Sequence, residues 1–171
     1  TYDYNPEKAK KLLAEAGYPN GFETPFLAYR NRDYAEAMIN NLNAVGITAK
    51  FEYLKYAAFR DKVQSGGAPF NFGTWGSYSI NDVSAITSHF QSGGKDDYSK
   101  DPEVIKQLAI GDTSVDANVR KAAYKAALSR ISGEAFMFPL WSYNTWYAFS
   151  KDVDFNPTPD EIPRFFTAKW M

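Results

Sequence analysis

Helix and strand patterns alternate along the first 76 residues, and this alternation most restricts the fold that the chain can adopt. Asn5 and Pro6 are typical of a helix start, and apolar residues then recur at helical spacing until Gly17. Strands are expected at 22–29, 47–54 and 70–75, with helices at 33–45 and 56–64 between them. Because a helical crossover brings the next strand back parallel to the previous one, the pattern predicts an open α/β sheet.

The remainder of the chain is predicted to be more helical. Helices are expected at about 82–90 and 102–110, and a long one at about 116–132 with Asp116 as its cap. Phe136–Leu140 and Tyr143–Phe149 have the composition of strands. The prolines within 154–164 exclude a regular element there, so that segment is interpreted as an extended connection to the aromatic end of the chain.

Composition excludes several classes of function. The formal net charge is -1, which gives no electrostatic reason to expect nucleic acid or an anionic membrane as partner. No apolar run approaches the ~18 residues of a transmembrane helix. The absence of cysteine excludes disulfides, thiolate metal sites and a cysteine nucleophile. Aromatic residues make up 17% of the chain, which is compatible either with a bulky core or with an aromatic-lined pocket.

Motifs for catalysis, cofactors and metals are not evident. His89 is the only histidine, so a site with several histidine ligands is impossible, and we interpret it as an ordinary surface or helix residue. Gly94-Lys95 lacks the first glycine and the Ser/Thr of a phosphate-binding loop. Asp96, Asp97 and Asp101 do not have calcium-loop spacing. The sequence therefore predicts a protein without a cofactor or metal and without catalytic activity.

The turn after the third predicted strand is the best candidate for a binding site. Ligands of open α/β sheets bind beyond the carboxyl ends of the strands, where Trp75 should lie. Gly76 would allow close approach to the backbone, and Asp82 is interpreted as a helix cap or as a partner for a cation. The other candidate binding residues, which offer hydrogen bonds, are Ser77, Tyr78, Ser79 and Asn81. The alternative for Trp75 is packing in the core at the end of a strand.

With these motifs, nearly the whole chain resembles the C-terminal part of the family 5 extracellular solute-binding proteins of ABC importers, the dipeptide, oligopeptide and nickel type. The matching segments are 4–18, 46–47, 51–59, 75–76, 138–141 and 157–164. The resemblance implies the C-terminal lobe of a type II periplasmic-binding-protein clamshell, which closes on its solute by hinge motion. Residues 1–140 would form this α/β lobe, and residues 141–171 would be the return crossing to an N-terminal lobe that is absent here.

The function implied by this resemblance is capture of a small polar solute (peptide-like, sugar-like or opine-like) and its delivery to a membrane permease. The expected location is the periplasm, or the outer face of a single membrane as a lipoprotein, with the signal peptide outside this fragment. Two alternatives remain: an α/β hydrolase or transferase using Asp82, Asp96 or Asp97 as general base, and a sensor or chaperone of the same fold.

One position departs from the family. Trp75 falls where the family carries its binding-site tryptophan. Peptide-binding members usually carry an aspartate three residues later, and this aspartate pairs with the α-ammonium of the ligand. Here that residue is Tyr78. Losing that partner would cost an ammonium about 1.5–3 kcal/mol of binding free energy. We therefore hypothesise that the solute is not an ordinary peptide with a free N-terminus, or that its amine is held by the other lobe.

Overall fold

The computed structural model describes residues 2–76, 80–158 and 162–171. The chain divides into two compact units. We call the first the sheet unit; it comprises the residues up to Thr74 together with Gly93–Tyr98. We call the second the helical unit; it comprises Trp75–Ser92 and Ser99–Met171.

The sheet unit contains the predicted alternation of helices and strands. Its elements are α1 (Pro6–Glu15), β1 (Phe22–Ala28), α2 (Arg32–Ala44), β2 (Ile47–Tyr53), α3 (Tyr56–Gln64) and β3 (Asn71–Phe72). The strand order is β2-β1-β3, and β1 pairs in parallel with both neighbours. The predicted parallel sheet is therefore confirmed, with β1 at its centre.

The central strand β1 is covered on both faces. Phe26 and Ala28 pack with Ile39 of α2 on one face, whereas Leu27 packs with Phe59 and its neighbours from α3 on the other. Successive side chains of a strand point to opposite faces, so a strand between two helical layers must be apolar at consecutive positions. This explains why the end of β1 carries three buried residues in a row.

Several element boundaries in the sheet unit differ from the prediction. Helix α2 begins at Arg32 instead of residue 33, and its N-cap is Asn31 in a left-handed conformation with φ of 51°. The third strand covers only Asn71–Phe72 instead of 70–75. Its partner β1 ends at Ala28, which pairs with Phe72, so residues beyond Phe72 have no strand of the sheet to pair with.

The helical unit is built on an antiparallel pair of helices. Its regular elements are α4 (Ser84–Phe90), α5 (Pro102–Thr113), α6 (Ala117–Gly133), β4 (Val153–Asp154), a 3₁₀ turn (Phe165–Thr167) and β5 (Lys169–Trp170). Asp116 caps α6 as predicted, accepting the N–H groups of Asn118 and Val119. Gly111 of α5 lies against Tyr124 of α6, where a Cβ atom would come within 2.6 Å of the ring.

The two strands predicted after α6 are absent from the described structure. Residues 137–150 are coil, and the short antiparallel pair β4–β5 lies nearer the end of the chain. A strand is stabilised only when a neighbour pairs with it, so strand-like composition alone does not produce one. Large apolar side chains of this segment remain exposed, including Phe138 and Trp146.

Within residues 2–76, 80–158 and 162–171, no helix has the length and apolar character needed to cross a membrane. These residues also contain no group of three or more potential metal ligands.

Candidate functional site

The carboxyl edge of the parallel sheet brings together residues that sequence reasoning did not select. Strands β1 and β3 end at Ala28 and Phe72, and because they run parallel, the residues that follow them meet at one edge. Tyr29 and Arg30 follow β1, and Thr74 closely follows β3. This edge lies within the sheet unit and is where an open α/β sheet binds ligands.

Arg30 is held at this edge by neutral groups. Its Nη1 donates a hydrogen bond to Thr74 Oγ1 at 3.0 Å, and its guanidinium carbon lies 5.6 Å from the Tyr29 ring centroid. The Tyr29 hydroxyl is itself 3.0 Å from Thr74 Oγ1. Arg30 is exposed, and among the described residues no carboxylate forms an ion pair with it. Since an arginine stays protonated, the edge carries an oriented positive charge that is suited to a carboxylate.

Aromatic rings continue the same edge. The Tyr29 ring lies 5.0 Å from that of Tyr56 and 4.9 Å from that of Phe59. A second arginine, Arg32, lies over the ring of Tyr53, but its Nε binds Glu36 at 2.7 Å. Arg30 and Arg32 therefore differ in charge balance, because a carboxylate, that of Glu36, already neutralises Arg32.

In the helical unit, Trp75 is partly exposed and fixed by α4. Its Nε1 donates to the carbonyl oxygen of Ala85 at 3.3 Å. Its ring stacks on that of His89, with the centroids 4.1 Å apart and the planes inclined by 19°, and Phe90 meets it edge-on at 5.2 Å. Trp75 keeps 37% of its residue surface exposed. It is therefore not sealed in a core, the alternative that the sequence left open.

Asp82, the other charged candidate in the turn, is engaged within the protein. Its Oδ1 accepts the N–H of Ser84 at the start of α4 at 2.9 Å, and its Oδ2 pairs with Arg120. The Ser84 N–H lowers the pKa of this carboxyl, and the Arg120 charge lowers it further. Asp82 is not the N-cap of α4, which is Val83, although its side chain accepts the first N–H of that helix, and its cation is Arg120 from α6.

The partners of Asp82 are fixed in turn. Arg120 Nη1 donates to the carbonyl oxygen of Gly111 at 2.7 Å, and Tyr124 donates to Asp112 Oδ1 at 2.7 Å. Burial and the neighbouring Asp112 raise the pKa of Tyr124 to about 12, so its hydroxyl remains a donor at neutral pH. This network attaches the start of α4 to the α5–α6 pair.

The remaining candidates are less informative. Asn81 is exposed and Gly76 is half-buried, while Ser77, Tyr78 and Ser79 lie outside the described residues. The helical unit also has a shallow groove of about 530 Å³, formed by coil residues. Its lining residues are Tyr143, Asn144, Thr145, Trp146, Tyr147, Pro157 and Thr158.

Arg30 had a signal in the sequence that was not used. The rule that selects Trp75, a position just after a strand of a parallel sheet, applies equally to Tyr29 and Arg30. In the sequence, Arg30 is simply the residue after the predicted strand 22–29. The pairing of β1 with β3, which brings Thr74 beside Arg30, is known only from the structure.

The comparisons with known proteins agree on one family. The model of bacterial extracellular solute-binding proteins, family 5 middle, matches residues 1–97. Heme-binding protein A of Haemophilus influenzae is 84% identical over 25 residues, which is 15% of this chain and 5% of that protein. Glutathione-binding protein GsiB of Escherichia coli is 42% identical over 53 residues, or 29% of this chain and 10% of that protein.

A solved structure extends the similarity to the whole chain. HbpA2 of Haemophilus parasuis superposes with a TM-score of 0.78 and 26% identity, covering 100% of this chain. The chain spans 36% of the length of HbpA2. The α/β fold is that of type II periplasmic binding proteins, as predicted.

Proposed function

Because the chain belongs to the family 5 bacterial extracellular solute-binding proteins, we propose that it forms the C-terminal lobe of a protein that captures a solute for an ABC importer. The family is extracellular or periplasmic, and its members bind peptides and related ligands. The proposed partner is a membrane permease, to which the loaded protein delivers its solute. We propose that the protein is located in the periplasm, or on the outer face of a single membrane as a lipoprotein.

Arg30 is the observation on which the proposed solute chemistry depends. It is exposed, charged and oriented by Tyr29 and Thr74 at the ligand-binding edge of a parallel sheet. We propose that it binds a carboxylate of the solute. Glutathione and heme, named in two of the relatives, and ordinary peptides all carry carboxylates. Separately, the candidates from Trp75 to Asp82 selected from the sequence stay proposed solute-binding residues in their own right.

Binding without catalysis is supported by the three aspartates that were considered as general bases. Asp82 pairs with Arg120, and Asp96 pairs with Arg60 at 2.7 Å. Asp97 is 1% exposed and accepts the N–H of Gly93 at 2.9 Å. A general base must reach a proton of the substrate, so carboxylates held in this way favour a binding protein over a hydrolase.

The long coil after α6 supports the proposed division of the chain at residue 141. Residues 141–150 are coil with exposed aromatic side chains, as expected of strands whose neighbours belong to another part of the polypeptide. The family member HbpA2 is almost three times as long as the part that this chain covers. We propose that this segment returns to an N-terminal lobe, and that this lobe supplies the other half of the solute site.

The test uses the complete protein that carries this chain. A thermal-shift screen with glutathione, an unmodified dipeptide, hemin and a neutral oligosaccharide should show a rise in melting temperature with a carboxylate-bearing solute. Calorimetry should then show binding about 10- to 100-fold weaker for Arg30→Gln, the loss expected for a charge-assisted hydrogen bond. Arg32→Gln is the matched control, and its affinity should stay within about twofold because Glu36 already neutralises Arg32.

Two results would overturn the proposal. Binding of none of the four solutes by the complete protein would contradict a role in peptide-like or sugar-like solute capture. Tight binding of the oligosaccharide alone, or equal effects of Arg30→Gln and Arg32→Gln, would contradict the specific role of Arg30.

A further inference from the structure

His89 forms one face of the site around Trp75, although it was interpreted from the sequence as an ordinary surface or helix residue. Its ring is nearly parallel to the indole, with the two centroids 4.1 Å apart. Phe90 stands edge-on to both rings, 5.2 Å from Trp75 and 4.6 Å from His89. A flat ring held between a stacked ring and a perpendicular one has a fixed orientation.

The same contacts restrict what Trp75 can offer a solute. Its N–H is donated to the carbonyl oxygen of Ala85 inside the helical unit, at 3.3 Å. One face of the indole is covered by His89. The residue as a whole is 37% exposed, and the indole face opposite His89 is the one that this stack leaves uncovered. Such a surface contacts apolar or planar groups and is not a hydrogen-bond donor.

We propose that His89 is a positioning residue for solute binding, which stacks beneath Trp75 so that the exposed indole surface meets an apolar or planar group of the solute. This inference rests on the proposed function, because it requires that the complete protein binds a solute. It adds that Trp75 acts through its ring and not through its N–H. It also assigns the chain's only histidine a role in aromatic packing.

The experiment compares variants of the complete protein with whichever solute of the four-member screen binds to the wild type. His89→Ala should weaken binding about fivefold, the order of one aromatic pair, whereas His89→Phe should restore it to within about twofold of wild type. Ser88→Ala is the matched control on the same helix, since that hydroxyl donates to the carbonyl oxygen of Ser84 in its own helix, and its affinity should be unchanged. Melting temperatures are recorded for each variant.

The tryptophan itself is tested in parallel. Trp75→Phe keeps a ring and should lose less affinity than Trp75→Ala, because the N–H is not used for the solute. Equal losses in these two variants would contradict a ring contact. Wild-type affinity in His89→Ala with a lowered melting temperature would show a purely structural role and would overturn the inference, as would failure of His89→Phe to restore binding. In each case solute binding by the wild type leaves the proposed function intact, whereas no binding by the wild type contradicts both.

Discussion

The sheet unit and the end of the helical unit both contain many apolar and aromatic residues, but these side chains are buried in the first and exposed in the second. In the sheet unit, apolar and aromatic side chains such as Phe26 and Phe59 are buried between a central strand and its helices. After α6, Phe138, Trp146 and Phe166 are exposed in coil or a short turn. The difference is in the availability of partners, because the sheet unit contains the strands that its apolar residues need.

Apolar composition sets the potential for burial, and pairing decides whether burial occurs. Substitutions at pairing positions of the sheet unit should therefore be severe, and substitutions of exposed aromatics after α6 should be mild in this chain.

Gly21→Ala should be the most destabilising change. Gly21 has φ of 75°, and a Cβ atom there would lie 1.7 Å from the carbonyl oxygen of Gly46, which also accepts the N–H of Phe22 where β1 and β2 begin. The backbone must separate, so we expect a loss above about 4 kcal/mol in the free energy of unfolding, measured by urea denaturation.

Gly17→Ala is the control for this substitution. Gly17 has φ of 91°, but nothing lies within 4 Å of its added Cβ atom. The cost should therefore be that of the left-handed conformation alone, about 1–2 kcal/mol. Similar losses for the two variants would contradict the importance of the Gly21–Gly46 approach.

Removing the ion pair of Arg60 and Asp96 should cause the next largest loss in the free energy of unfolding. The side chains are 19% and 7% exposed, and two N–O contacts of 2.7 Å join them. Their hydrogen bond raises the pKa of Arg60, and Asp96→Asn would leave the guanidinium without its ionic partner. We expect a loss of about 3 kcal/mol.

The exposed pair of Lys50 and Glu23 provides the comparison, with side chains 65% and 62% exposed. Glu23→Gln should change the unfolding free energy by less than about 0.5 kcal/mol. A cost for Asp96→Asn as small as this would show that burial does not distinguish the two pairs.

Prediction from sequence succeeded where a feature depends on residues close together in the chain and failed where it depends on distant ones. The start of α1 at Asn5 and Pro6, and that of α6 after Asp116, depend on residues a few positions apart, and both were predicted. The shortness of β3 depends on where β1 ends, and whether the segments after α6 form strands depends on whether another strand pairs with them. Neither of these pairings can be read from the residues of the segment itself.

The candidate site shows the same limit. Trp75 was selected because its position after a strand is a local feature; it is partly exposed, and its role in binding stays a prediction. Arg30 needed the contact with Thr74, 44 positions along the chain, to stand out as an oriented charge. His89 needed the stack on Trp75, which no spacing rule predicts.

Asp101 should make stability depend on pH. Arg130 donates to both of its oxygens, at 2.8 and 2.6 Å, and with the Val104 N–H lowers the Asp101 pKa to about 2. A pKa that is lower in the folded state gives stability that is complete above the unfolded value of about 3.8 and is lost as pH falls toward 2.

Asp101→Asn is the test, because asparagine still accepts the N–H groups at the start of α5 but carries no charge. Wild type should be the more stable protein at pH 6, and the difference in unfolding free energy should shrink between about pH 4 and pH 2. A difference that stays constant over this interval would show that the charge of Asp101 contributes nothing.

Trp146→Ser should have the smallest effect on this chain and the most informative one. Trp146 is 87% exposed in coil, so its substitution removes little buried area and should change the unfolding free energy of the 171-residue chain by less than about 0.5 kcal/mol. If the segment after residue 141 pairs with another lobe in the complete protein, the same substitution there should cost about 2 kcal/mol or more, as for a buried aromatic side chain. Phe26→Ala, in the core of the sheet unit, is the control and should be severe in both proteins. Equal, small effects of Trp146→Ser in the chain and in the complete protein would mean that this aromatic segment faces solvent in both, and the missing partner would no longer explain the contrast between the two units.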